Sequence, residues 1–146
     1  MSPSKQGTMS NYTKTAILEA YRYGTLPYRV VSRRRFARRE QMPVIILYYH
    51  RVADSDPVPW SLTNDQFRRH IDWLQSRYDM ISLAEAQQRV AEGSSRPAVH
   101  ITFDDGYAEN CDRALPLLVD RGIPCTYFVT LGNVVSAKPF MHDQSR

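Results

Sequence analysis

From Pro43 onward the chain alternates between two hydrophobic periods. VIILYYH, Val44 to His50, is a short continuous apolar run, the pattern of a strand buried on both faces in a parallel sheet. Arg51 to Leu62 reads as a loop, because Pro57 and Pro59 exclude helix there. Thr63 and Gln66 then make a capping-box pattern, and Phe67, Ile71, Leu74 and Tyr78 recur on one helical stripe. A brief strand over Asp79 to Ile81 leads to a second capping-box pattern, Ser82 with Glu85. A short helix follows through Val90 and stops at Gly93. RPAVHITF is the next strand. Tyr107 to Arg121 reads as helix with a break, where Pro116 opens a second piece at little cost. Gly122 ends it, and PCTYFVTL, Pro124 to Leu131, is the fourth strand. Such alternation predicts right-handed βαβ units in an open doubly wound sheet or a (β/α) barrel. In both architectures sites form at the C-terminal ends of strands. Tyr49 with His50, and Asp104 with Asp105, are the chemically loaded ends.

Composition adds a second region to this picture. The 146 residues are 42% hydrophobic and 11% aromatic, enough for one domain with a core. No run of about 18 apolar residues appears, and Glu19 and Arg22 interrupt the one hydrophobic patch near the N-terminus. That patch is no secretory signal, so the expected location is cytoplasmic. The net charge of +4 is uneven: residues 1–40 hold nine Lys or Arg against two acids, residues 41–146 ten against thirteen. A basic leader over residues 1–42, partly helical or disordered, is therefore expected ahead of a domain over residues 43–146. Its densest part, SRRRFARRE, suits a solvated leader or anionic lipid headgroups, and an amphipathic helix around Thr15 to Tyr23 suits peripheral membrane contact. No readout motif supports nucleic acid as a partner. Two cysteines outside any CxxC pair are expected to be packed, unbridged thiols.

The stretch HITFDDG, His100 to Gly106, carries the candidate chemistry. Two adjacent carboxylates repel unless a cation, a shared proton or water offsets the charge. On a continuing strand they would point to opposite faces, so they share one site only if the backbone turns, and Gly106 permits a turn. One member can then hold a divalent cation while the other moves a proton. The alternative is that one aspartate merely caps the helix beginning near Tyr107. Spacing excludes two other chemistries: Gly106 stands where an Asp-x-Asp phosphotransferase needs its second acid, and no P-loop sequence occurs.

ILYYHRV, LTNDQFRRHIDWL, HITFDDGYAEN and GIPCTYFVT, in that order from Ile46 to Thr130, resemble the polysaccharide deacetylase family, the NodB homology domain of carbohydrate esterase family 4. The resemblance implies a partial, distorted (β/α) barrel with about four βα units present. It implies metal-dependent hydrolysis of N-acetyl groups on an N-acetylated polysaccharide. Asp104 resembles the catalytic base and Asp105 the ligand of a divalent metal, zinc above all. His50, in the YHRV motif, and Tyr107 are expected to meet substrate. The family's His-x-x-x-His pair, which completes the metal triad, is absent before the chain stops at MHDQSR, so the expectation is the N-terminal portion of a catalytic domain, truncated and weakly active. The competing reading is a non-catalytic remnant or sugar-binding module without metal. His70 is expected at a helix surface, and His100 lies about 13 Å from Asp104 along an extended strand, too far to share a metal. His142 sits in the terminal tail with no inherited role expected.

Overall fold

The computed structural model describes residues 11–136. Two helices come first, α1 (Asn11–Gly24) and α2 (Leu26–Arg38). They form one kinked arm: the Thr25 amide donates to the Tyr21 carbonyl (3.0 Å) and the Arg29 amide to that of Thr25 (2.9 Å), with Pro27 in the first turn of α2. The helix expected around Thr15 to Tyr23 is thus longer, and most of the Arg-rich stretch is helical too. Arginine is a good helix former even where no apolar stripe guides packing.

The sheet region follows as β1 (Val44–Tyr49), β2 (Arg51–Val52), β3 (Ser61–Leu62), α3 (Asn64–Gln75), β4 (Asp79–Met80), α4 (Leu83–Glu92), β5 (Ala98–Phe103), α5 (Ala108–Asp112), α6 (Ala114–Asp120), β6 (Cys125–Tyr127) and α7 (Leu131–Ser136). All pairings are parallel, as the alternating periods predict. β1 runs along β5 in register from Val44↔Ala98 to Tyr49↔Phe103. β4 pairs with the start of β5 and β6 with its end. Both use the edge away from β1: the Ala98 and Asp104 amides donate toward β1, whereas the Val99 and Phe103 carbonyls accept from Ile81 and Phe128. β2 and β3 form a separate two-stranded pair inside the stretch expected to be loop, with strands too short to show a period.

Helices α3 and α6 cover one sheet face. Phe67, Ile71 and Leu74 of α3 and Ala114 and Leu118 of α6 pack on Tyr49, Val99, Ile101 and Phe103. Aromatic rings run through this core: Phe67 meets Tyr49 edge-on with centroids 5.1 Å apart, and Phe103 stacks on Tyr127 at 4.8 Å. The start of α3 is fixed by a full capping box, since Thr63 Oγ1 accepts from the Gln66 amide (3.2 Å) and Gln66 Oε1 from the Thr63 amide (3.0 Å). At α4 only half of the expected box forms: Ser82 Oγ accepts from the Glu85 amide (3.2 Å), while the Glu85 carboxylate takes Arg89 (2.6 Å) instead.

Three expectations need correction. β1 is not buried on both faces: Ile46 is 49% and Tyr48 64% exposed, whereas on that face Ala86 of α4 packs with Ala98 and Val44 at the start of the strands. The helical break falls at Arg113, not Pro116, which sits within the first turn of α6 where an amide needs no partner. The last strand ends at Tyr127, and Leu131 starts α7. Both cysteines are free, as expected, but Cys111 is exposed rather than packed. No helix among the described residues is long and apolar enough to cross a membrane.

Ile71 is wholly buried, so Ile71→Ala should cost about 2–5 kcal/mol through lost burial and a residual cavity. Thr63→Ala should cost about 1 kcal/mol, the worth of its cap. Urea unfolding midpoints of the two variants check this order.

Candidate active site at the ends of β1 and β5

The register of β1 on β5 sets the site. Tyr49 pairs with Phe103, and the Asp104 amide donates to the Tyr49 carbonyl at 2.9 Å. His50 and Asp104 therefore leave the sheet side by side, on the face opposite the Tyr49 core, since neighbours in register point the same way. A straight strand would next turn Asp105 toward the core. Instead Asp105 takes φ 69° and Gly106 φ 78°, two successive left-handed steps. Aspartate is among the few non-glycine residues enriched in that region. A Cβ at Gly106 would also stand 3.1 Å from Val129 Cγ1, so bulk and conformation both favour glycine there.

The turn delivers the Asp105 carboxylate to His50, whose Nδ1–H donates to Asp105 Oδ2 at 3.1 Å, both side chains about a third exposed. With the proton on Nδ1, a neutral His50 ring keeps the Nε2 lone pair. Neither aspartate occupies the N-cap position of α5, which is Tyr107.

A second set of contacts fixes the chain around His50. Asn110, completely buried, donates from Nδ2 to the His50 carbonyl (2.7 Å) and accepts at Oδ1 from the Val52 amide (2.8 Å). Arg51 between them donates from Nε (3.1 Å) and Nη2 (2.7 Å) to Glu109 Oε1. Its Nη1 reaches the Asp56 carbonyl. The Arg51 guanidinium lies 5.9 Å from the centre of the Tyr107 ring, so the structure sets Tyr107 beside Arg51. Burial by itself would raise the Glu109 pKa, but the Arg51 hydrogen bond, a backbone hydrogen bond and the Arg51 charge outweigh it and hold the carboxyl below its ordinary value.

The other histidines have structural partners. The Tyr49 hydroxyl donates to His70 Nδ1 at 2.9 Å, and burial pushes its ionisation upward, which keeps it a donor. His100 is buried, with Nδ1–H donating to the Ile81 carbonyl (2.8 Å) and Nε2 accepting from the Thr126 hydroxyl (2.9 Å). Both its nitrogens are spent. His142 lies outside the described residues. Sequence reasoning missed Asn110, Arg51 and Glu109 as parts of the site, although they stand in the HITFDDGYAEN and YHRV stretches. It also missed Tyr48, whose ring lies 5.7 Å from that of His50. Among the described residues no three His, Cys, Asp or Glu side chains gather. Asp105 and His50 are two donors where a catalytic zinc takes three from the protein, so these residues alone do not make a complete zinc site.

Residues 91–144 match the polysaccharide deacetylase family. YxkH of Bacillus subtilis (strain 168), a protein named after the polysaccharide deacetylases, is 28% identical over 102 residues, which span 68% of this chain and 36% of the relative. Two solved structures share the fold. A de-N-acetylase from Aggregatibacter actinomycetemcomitans is 26% identical with a TM-score of 0.50, over 57% of this chain and 36% of that one. IcaB from Ammonifex degensii is 27% identical with a TM-score of 0.52, over 59% of this chain and 37% of that one. Over these stretches the chain is similar to polysaccharide deacetylases. It spans about a third of the length of these relatives.

Asn110→Ala leaves the His50 carbonyl and Val52 amide without partners and should cost about 1–3 kcal/mol, with a displaced His50 ring resonance in NMR spectra. A Glu109 pKa held low stabilises the fold in full above the unfolded value, 4.5, and that contribution fades as pH falls through the folded value. Glu109→Gln should therefore be less stable than the parent at neutral pH, and the gap should close as pH drops below that value in chemical unfolding.

Proposed function

We propose that this chain carries the acidic rim of an enzyme that hydrolyses the N-acetyl groups of an amino-sugar polysaccharide. The observation behind this reading is that Asp105, at φ 69°, is turned out of the strand onto His50. An acid held at a cost in backbone conformation suits chemistry better than folding. Similarity to polysaccharide deacetylases supports the reaction class.

In this reading the Asp104 carboxylate takes the proton of a water that attacks the acetamide carbonyl. The C–N bond then breaks, and acetate leaves as the freed amine is protonated. His50 Nδ1–H holds the Asp105 carboxylate in one orientation. His50 and Tyr107 are the proposed sugar contacts. Asp105 is the proposed ligand of a divalent ion, zinc by family resemblance, which when bound supplies Lewis-acid polarisation of the carbonyl. Further ligands would have to come from beyond the described residues, since the residues gathered here fall short of three donors. The same shortfall favours a second reading, a sugar-binding module that holds no metal.

Acetate release from N-acetylglucosamine oligomers tests the proposal. Asp104→Asn should lower the rate about 10²–10⁴-fold, the usual worth of a general base, and zinc bound to the parent should be lost in Asp105→Ala. Oligomer binding by calorimetry, with neither acetate nor zinc, would select the second reading.

A further inference from the structure

The arm formed by α1 and α2 serves no part of the acidic rim. It lies at the other end of the sheet, where α2 faces Pro43 and Pro97, at the starts of β1 and β5, across a groove of about 550 Å³. The arm is unusual in being both basic and apolar on its outside. From Lys14 to Arg39 it holds eight Lys or Arg against one acid, Glu19. Val31, Arg34, Arg35 and Arg38 share one flank of α2 with Arg39, and α2 buries no residue at all. On α1 helical spacing gathers Thr15, Glu19 and Arg22 on one arc and Ile17, Leu18 and Tyr21, with Lys14, on another. Tyr12, Leu18, Tyr21 and Tyr23 are 66–88% exposed, and Ile17 is 53% exposed.

We infer that this arm seats the protein on the surface of an anionic lipid bilayer. Arginines reach phosphate headgroups while their methylene stems stay in apolar surroundings, and tyrosines suit the headgroup level, where one end of the ring is wet. A helix with exposed apolar and aromatic residues and a basic complement lies in that plane. A nucleic acid would satisfy the arginines but leave the apolar arc in water. Charge complementarity and apolar exposure together thus select an anionic bilayer. Docked this way, the strands point away from the lipid, and His50, Asp104 and Asp105 face outward at the far end of the sheet.

Co-sedimentation of the full chain with phosphatidylcholine vesicles, with and without phosphatidylglycerol, tests this. Binding is expected only with phosphatidylglycerol, falling as salt rises. Replacing Arg34, Arg35 and Arg38 together by Gln should weaken it about a hundredfold, from the typical share of each basic residue near an anionic surface. Replacing Ile17, Leu18 and Tyr21 by Ser should weaken it as well, with an unchanged urea unfolding midpoint because these side chains are exposed. Absent or equal binding to the two vesicle types would overturn the inference. So would an apolar variant that binds like the parent, or tighter retention by duplex DNA than by phosphatidylglycerol vesicles.

Discussion

The pairing of β1 on β5 is the constraint on which the rest hangs. Six residues of each strand lie in parallel register, and the last of these pairs sits directly under the acidic rim. A slip of one residue would exchange the faces of β1. Tyr49 would leave its contacts with Phe67 and Phe103, and His50 would part from Asp105. The cost of that slip falls first on the aromatic core, so the packing that stabilises the fold also places the histidine. Structure and site share one anchor.

The site is held from two directions at once. The sheet brings His50 and Asp104 together, and the short helix α5 reaches back through Asn110 to the backbone on both sides of Arg51. The contact at Arg51 is an ion pair with little solvent on the arginine side, its side chain being 10% exposed. A charge so placed is tolerable because Glu109 and the Asp56 carbonyl together answer its donors. Rigid support on one flank contrasts with the exposed positions Ile46 and Tyr48 on β1.

Much of this was legible from the chain. Strands β1 and β5 and helix α3 carry clear periods and a capping box, so their place and order could be read directly. Asp104, Asp105 and His50 stood out because strand ends are where parallel sheets collect chemistry. What could not be read depends on partners distant in sequence. Asn110 bonds residues 58 and 60 positions away, and nothing local distinguishes it from a surface asparagine. The exposure of Ile46 and Tyr48 depends on what covers the sheet, which an apolar run does not encode. The β2–β3 pair is too short for a period, and the break at Arg113 carries neither glycine nor proline to announce it.

At position 105 the interests of folding and of chemistry diverge. Glycine would settle into that left-handed backbone without steric cost, yet it offers no carboxylate to His50. A lineage that ceased to need the acid would gain by letting it go, and drift there would be quick and silent as far as the fold is concerned. Under the proposed reaction, the residue found at this one turn would be a sign of whether a copy of the gene still answers to that chemistry or only to its stability.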